Sequence, residues 1–454
     1  MTWPNRIAFF LMMAVIIMTT VAYGAVHQPI LALFYVCVSI MVLLWAFDSF
    51  RSGSVRLSLS KLQLPLYAAG IYATIQAIPF GTLAETAGVS GIPRTISLDP
   101  FPTQMSALHF FALALFFSVS LVLVVSAARI RRLVVVISVF GFVFAFFAIL
   151  QSVLSPGKIY GIYEARFAVP FGSFVNRHNF AAYMEMTIGL PLGMLFAGAV
   201  ARDKRLLYIT GIALMGVALL MSGSRGGLVA FLSQVILLVI MTTASKSRGR
   251  LILKVGSASL LIAAIVIGSI AIGGENSLTR IADTAASGDL TTDRGHIWAV
   301  TTNVIAQTMP LGAGFGALGV AYTPFDNHSG LERVEQAHND YLQVAADAGV
   351  IGIIIGLFFL FTLFRGGLAA AKSDNTYRRG VAIGALAGCF AVLVHSIFDF
   401  VLHTTAISLL FIALMTLIAA CREKYDDDII LPELEKRRAY GPPGSLASIP
   451  GGRR

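Results

Sequence analysis

His338 is the first residue whose type and setting point to chemistry. It opens a polar cluster, His338, Asn339, Asp340 and Tyr341, that runs straight into a hydrophobic span. An unperturbed imidazole titrates at about 6.5, so it can take the proton of a hydroxyl that is otherwise a poor nucleophile. A titratable ring at a membrane face is costly unless something uses it. Asp340 or Asn339 is placed to orient the ring, and spacing does not choose between them. Arginines form the second group. Arg225 lies in the tight turn SGSRGG, Arg294 in DRGHIW and Arg177 in GSFVNRHNFAAYMEM. A guanidinium keeps its charge and presents a planar fork, which suits a phosphate-bearing ligand. The two glycines after Arg225 let a backbone approach closely at that point.

These residues must be held by membrane helices. Hydrophobic residues make up 57% of the chain and charged residues 12%, too few to cover a soluble surface. Apolar runs long enough to cross a bilayer recur at roughly 7–27, 29–48, 65–82, 105–126, 132–154, 180–200, 205–222, 226–243, 251–273, 348–366, 379–400 and 404–421. The expectation is an all-α integral membrane protein of about twelve spans. The first span is too long, and lacks the small-residue cleavage site, for a removable signal peptide. With the N-terminus inside, 25 of the 33 lysines and arginines fall in alternate short loops or in the C-terminal tail, on the cytoplasmic side. That bias fixes the orientation and accounts for the net charge of +10 without a nucleic-acid partner. Arg94, Lys158, Arg166, Arg177, Arg225, Arg280, Arg294 and Arg333 face the other side against the bias, so each invites a second explanation.

The organisation expected is a membrane domain over 1–421, with a long periplasmic loop at 274–347, and a polar, disordered cytoplasmic tail over 422–454. Segment 293–309 has helical spacing and stops at Pro310. The following PLGAGFGALG reads as a tight turn against the membrane, since no strand precedes it and no GK[ST] follows. Segment 334–347 is read as an amphipathic helix carrying His338. Cys37, Cys389 and Cys421 lie in or at the end of spans, as packing residues. The acidic run Asp426–Asp428 is a solvated charge run, not a metal site.

Depth gives a further indication. Gln76, His109, Gln151, Glu185, His395 and Asp399 fall toward the outer ends of their spans, and His403 follows in a short outer turn. Gln234, near mid-membrane, is the exception. A transporter places coupling carboxylates near the midplane; here the polar layer lies under the outer face. For Gln76 and Gln151 hydrogen-bonded packing is the simpler reading.

Four fixed positions carry a resemblance: His338 and Asn339, then nine residues, then Gly349 and Gly352. The chain resembles the O-antigen ligase family over roughly residues 165–405. The family's S-R-G-G turn is matched by Ser224 to Gly227. Its loop arginine followed by I-W is matched by Arg294, Ile297 and Trp298. Its G-S-F-x-N-x-N segment is matched in part by Gly172, Phe174, Asn176 and Asn179, with His178–Asn179 where relatives often have the reverse order.

The resemblance implies a GT-C-like glycosyltransferase in the bacterial inner membrane, with its active site facing the periplasm. Its donor would be a glycan on undecaprenyl diphosphate and its acceptor a lipid A-core sugar, as in lipopolysaccharide biosynthesis. His338 would be the base, with Arg225, Arg294 and Arg177 on the diphosphate. Asn179, Asn339, Asp340, Glu185, Asp399 and His403 would support them. No outer Asp-x-Asp pair is present, so the expected mechanism is inverting, independent of metal and free of cofactors. An O-antigen or exopolysaccharide polymerase using the same donor is the alternative, and a membrane transporter the rival from another class. The expected partners of the arginines, if they were merely structural, are Asp283, Asp289, Asp293 and Glu335.

Overall fold

The computed structural model describes residues 2–83, 88, 90–166, 168–243, 248–273, 294–327, 333–422 and 429–430. Each expected span is helical there: α1 Trp3–Val21, α2 Gln28–Ser52, α3 Leu64–Ala77, α4 Pro100–Leu123, α5 Ala127–Leu154, α6 Arg177–Phe196, α7 Arg205–Met221, α8 Arg225–Thr242 and α9 Arg248–Gly273. Two loop helices follow, α10 Arg294–Thr308 and α11 Leu318–Tyr322. The last three are α12 Asp340–Ala370, α13 Thr376–His395 and α14 Thr405–Ala420. Side-chain oxygens of Ser126, Asn176, Ser224, Asn339 and Asn375 accept backbone N–H groups at the starts of α5, α6, α8, α12 and α13. Those donors would otherwise lack partners.

Among the described residues, nine helices are long and apolar enough to cross a membrane: α1, α2, α4, α5, α7 with the turn before it, α8, α9, α12 and α13. Three of the twelve expected spans fall short of that measure. α3 has 14 residues, which reach roughly 21 Å against a hydrocarbon core of about 30 Å. α14 has 16 residues. α6 has 20 residues but carries Arg177, His178, Asn179 and Glu185. Both α6 and α14 are enclosed by protein along almost their whole length, so the surrounding helices meet lipid in their place.

The centre of the bundle is a seam between α6 and α13. A Cβ on Gly193 would lie 2.3 Å from Gly384 Cα, and one on Gly384 would lie 2.5 Å from Gly189 O. A Cβ on Gly388 would lie 2.9 Å from Met186 O. The two backbones therefore touch. Lipid tails are as apolar as leucine, so helices in a membrane associate through such close packing rather than through expulsion of water. α2 and α9 lie at the other extreme, each only 17% buried over its apolar window.

Polar contacts tie the chain together at two ends of the bundle. At one end Arg129 is buried, donating from Nη1 to Leu123 O at 2.7 Å and from Nη2 to Asn5 O at 3.1 Å. At the other end α5 closes with Gln151 Nε2 donating to Gly172 O at 2.6 Å, just before α6. The packing role expected for Gln151 is thus observed. Ile429–Ile430 pairs antiparallel with Leu57–Ser58, so this part of the tail expected to be disordered forms a short ladder. Arg280, Asp283, Asp289, Asp293 and Asp426–Asp428 lie outside the described residues.

α12 is sharply kinked at Gly349, where φ is 56° and ψ −143°. The kink releases two helix carbonyls. Ala346 O accepts from Ala313 N at 2.8 Å and Asp347 O from Gly314 N at 2.9 Å, while Val350 N donates to Pro310 O at 3.0 Å. The glycine-rich segment is therefore docked onto the opened helix. Gln76 completes the joint, donating to Leu311 O at 3.0 Å and Asp347 O at 2.9 Å and accepting from Phe315 N at 3.2 Å. A Cβ on Gly349 would lie 2.1 Å from Pro310 O, in a backbone region that is almost exclusively glycine's. Gly349→Ala is expected to cost on the order of 3 kcal/mol. Gly356→Ala, in the same helix with nothing within 4 Å of the added carbon, should be neutral. Thermal unfolding of both proteins in one detergent checks this; equal melting temperatures would refute it.

Candidate functional site

The site is assembled at the end of the bundle that carries α10 and the start of α12. His338 lies outside any helix, contrary to the helical reading of 334–347. α12 begins only at Asp340, capped by Asn339, whose Oδ1 accepts from Tyr341 N at 3.0 Å and Leu342 N at 3.1 Å. His338 adopts the left-handed backbone, φ 48°. The start of α12 is tied to the end of α13: Asp340 N donates to Ser396 O at 2.9 Å and Tyr341 Oη to Leu393 O at 2.7 Å. Asp340 also takes His403 Nδ1 at 2.9 Å and Leu402 N at 3.3 Å. This docking brings His338 over the turn that follows α13.

Asp399 is the hub of that turn. Its carboxylate is 2% exposed. His338 Nδ1 lies 3.2 Å from Asp399 Oδ1, and Arg294 Nη2 lies 3.1 Å from Asp399 Oδ2. Arg294 Nη1 also donates to Phe398 O. The ring of Phe400 stands edge-on to His338, with centroids 4.8 Å apart. Burial alone would raise the Asp399 carboxyl. The hydrogen bond with His338 and the fixed charge of Arg294 prevail and hold it well below the usual carboxylate range. An ionised carboxylate only accepts, so His338 Nδ1 is the nitrogen that donates to it and Nε2 is the nitrogen that Asp399 leaves unengaged. Neither Asp340 nor Asn339 orients the ring; Asp399 does. Arg294 likewise pairs with Asp399; of the loop carboxylates, Asp283, Asp289 and Asp293 lie outside the described residues. Glu335 pairs with Arg333 at 3.4 Å.

Below the hub lies a second set of groups. His178 Nδ1 is 3.8 Å from Asp399 Oδ2 and 2.8 Å from Ser224 Oγ. Ser224 Oγ is 3.4 Å from His395 Nε2, and His395 Nδ1 is 3.0 Å from Glu185 Oε1. Arg177 opens α6, and a Cβ on Gly223 would come within 3.5 Å of its Nη1. Arg225, partly exposed, opens α8 directly after Ser224.

Residues 210–357 match the family model described as O-antigen ligase. That match agrees with the resemblance carried by His338 and the S-R-G-G turn: the segment that holds both is similar to the O-antigen ligase family. No curated protein matches the chain. The O-antigen ligase segment contains Ser224, Arg225, Arg294, His338, Gly349 and Gly352. It leaves out Arg177, His178, Glu185, His395, Asp399 and His403, which lie on the helices and turn to either side. The hub of the site is therefore supplied from outside the matched segment.

Of the residues expected from sequence, the structure joins His338, Arg294 and Asp399 directly. Asn339 and Asp340 serve the docking of α12. Asn179 is buried in the first turn of α6. Glu185 is fully buried against His395, beneath the site and not in it. His395 and Ser224 were legible only as a polar residue at a span end and as a turn residue. A cavity of about 440 Å³ lies at the opposite end, lined by Arg131, Arg132, Tyr377 and Arg378, remote from these groups. Among the described residues, no group of three or more His, Cys, Asp or Glu side chains is placed to hold a metal ion.

Proposed function

We propose that this membrane protein is an inner-membrane glycosyltransferase that moves a polysaccharide from undecaprenyl diphosphate to a lipid A-core sugar hydroxyl. The observation that carries the reading is the sharing of Asp399 by the His338 ring and by the fixed cation of Arg294. His338 Nε2 takes the acceptor's hydroxyl proton. The oxygen attacks the anomeric carbon from the face opposite the donor oxygen, that carbon–oxygen bond breaks, and the configuration inverts. The lipid diphosphate leaves with the bonding electrons.

Arg294 meets the leaving group's charge. Among the described residues, Phe398 and Asp399 engage two of its five N–H donors, and that anchorage directs the guanidinium. Arg225 and Arg177, on the adjoining turn and helix start, complete the positive surface. In this reading the site end of the bundle faces the periplasm and the end holding Arg129 faces the cytoplasm.

The test is reconstitution in vesicles with a purified lipid-linked glycan and, in parallel, lipid A-core or a second lipid-linked glycan as acceptor. Glycan attached to lipid A-core is the expected product. Lengthened lipid-linked chains alone would make the protein a polymerase using the same donor, and no transfer to either acceptor would overturn the reading. EDTA is expected to leave the rate within about twofold, because the charge stabilisation assigned to a metal elsewhere is assigned here to arginine. Loss restored by magnesium or manganese would contradict that assignment.

A further inference from the structure

The S-R-G-G turn is built around a buried pair that the transfer step does not use. Glu185 and His395 are both fully buried, and Glu185 Oε2 has no hydrogen-bond partner among the described residues. Both glycines of the turn make room for them. A Cβ on Gly226 would lie 2.9 Å from His395 Cδ2, and one on Gly227 would lie 3.0 Å from Glu185 Oε1. The serine of the turn then links the pair to His178.

The link is restrictive. A serine hydroxyl has one proton to give and two lone pairs to offer. Gly227 N–H occupies one lone pair of Ser224 Oγ, at 3.2 Å. One donor and one acceptor position remain, and two ring nitrogens face them: His178 Nδ1 and His395 Nε2. Full satisfaction requires one of these nitrogens to donate and the other to accept.

Two proton counts on the buried pair therefore give two states of His178. With one proton, Glu185 is ionised and accepts from His395 Nδ1–H. His395 Nε2 then accepts from Ser224, His178 Nδ1 donates to Ser224, and the far nitrogen of His178 is bare. With two protons, His395 Nε2 carries N–H and donates to Ser224. The serine proton turns to His178 Nδ1, and the far nitrogen of His178 carries the N–H. An ionised pair with an unpartnered buried oxygen is costly, which favours the two-proton, net-neutral arrangement. The charged groups facing His178 are Asp399, Arg294 and Arg177, and those facing His395 are Glu185, Asp399 and Arg294. Arg225 follows Ser224 on the same turn.

We propose that Glu185, His395 and Ser224 are positioning residues that set, through one hydroxyl, which nitrogen of His178 carries its proton beside Asp399. The consequence for turnover rests on the transferase reading above; the coupling itself does not. The experiment is ¹⁵N NMR of histidine-labelled full-length protein in lipid bilayers, with resonances assigned by their loss in H178Q and H395Q. His178 Nδ1 and His395 Nε2 are expected to be of opposite type, one protonated and one bare. If either changes type between about pH 5 and pH 10, the other is expected to change with it. Both bare, both protonated, or two independent titrations would overturn the coupling without touching the assignment of His338. Ser224→Ala should uncouple the rings and lower transfer about tenfold with donor binding retained, and Ser224→Thr should keep both properties. A folded Ser224→Ala protein with unchanged His178 resonances and full transfer would overturn the role.

Discussion

Replacing His338 by glutamine is expected to reduce glycan transfer by at least about a thousandfold, while the protein still inserts and still binds the lipid-diphosphate donor. An amide can hold a hydroxyl, but it cannot accept its proton at neutral pH, and general-base catalysis accounts for roughly 10²- to 10⁴-fold. The geometry makes the substitution a clean test. Glutamine can still donate to Asp399, so the hub keeps a hydrogen-bond partner when the base is lost. His338→Ala should be equally inactive. A purely structural histidine makes the opposite forecast, with activity restored by glutamine and folded yield lowered by alanine. Folded yield, donor binding and turnover, measured on the two variants together, separate these readings. A well-folded, active His338→Gln protein would remove His338 from the role of base.

Arg294→Lys is expected to cost on the order of a hundredfold in turnover, close to the loss for Arg294→Ala. Two features of the guanidinium are needed at once. It is anchored to Phe398 O and to Asp399, which among the described residues take two of its five donors, and in the proposed reading it also meets the leaving group. Lysine cannot reproduce this planar, forked arrangement. The effect should fall on the chemical step more than on donor affinity, because the charge being met develops as the bond breaks. Single-turnover measurements with saturating donor would show it. Full activity in a normally folded Arg294→Lys protein would defeat the model, whereas a fall in folded yield with unchanged turnover would make Arg294 a clamp for the 396–400 turn only.

His338 and Arg294 could be read from sequence because their residue types are expensive where they stand. Asp399 was visible only as one of several polar residues at span ends. It lies 61 residues from His338 and 105 from Arg294, and nothing local announces that it meets both. Its role depends on how the start of α12 docks on α13, which is a matter of long-range packing. The kink at Gly349 was hidden for a related reason. A hydrophobic run looks the same whether or not the helix breaks, and the break is stabilised by the distant glycine-rich segment. The count of spans was read too uniformly, since α6 and α14 are enclosed by protein and α3 is short. Hydropathy measures how apolar a stretch is, not whether lipid or other helices surround it.

The glycine seam between α6 and α13 has a mechanical consequence. His178 and Glu185 ride on α6, His395 ends α13 and Asp399 follows it, so all four are mounted on two helices whose backbones touch. There is no side-chain layer there to slide or shear. His338 and Arg294 arrive from the other part, the stretch that includes α10 and the first turns of α12 up to the bend at Gly349. The molecule is thus divided into an anvil and an arm. Asp399 is shared across the junction of the two parts, so any displacement of one against the other would break the His338 and Arg294 contacts together. In the transfer reading proposed above, proton acceptance and leaving-group stabilisation would then be gained and lost together.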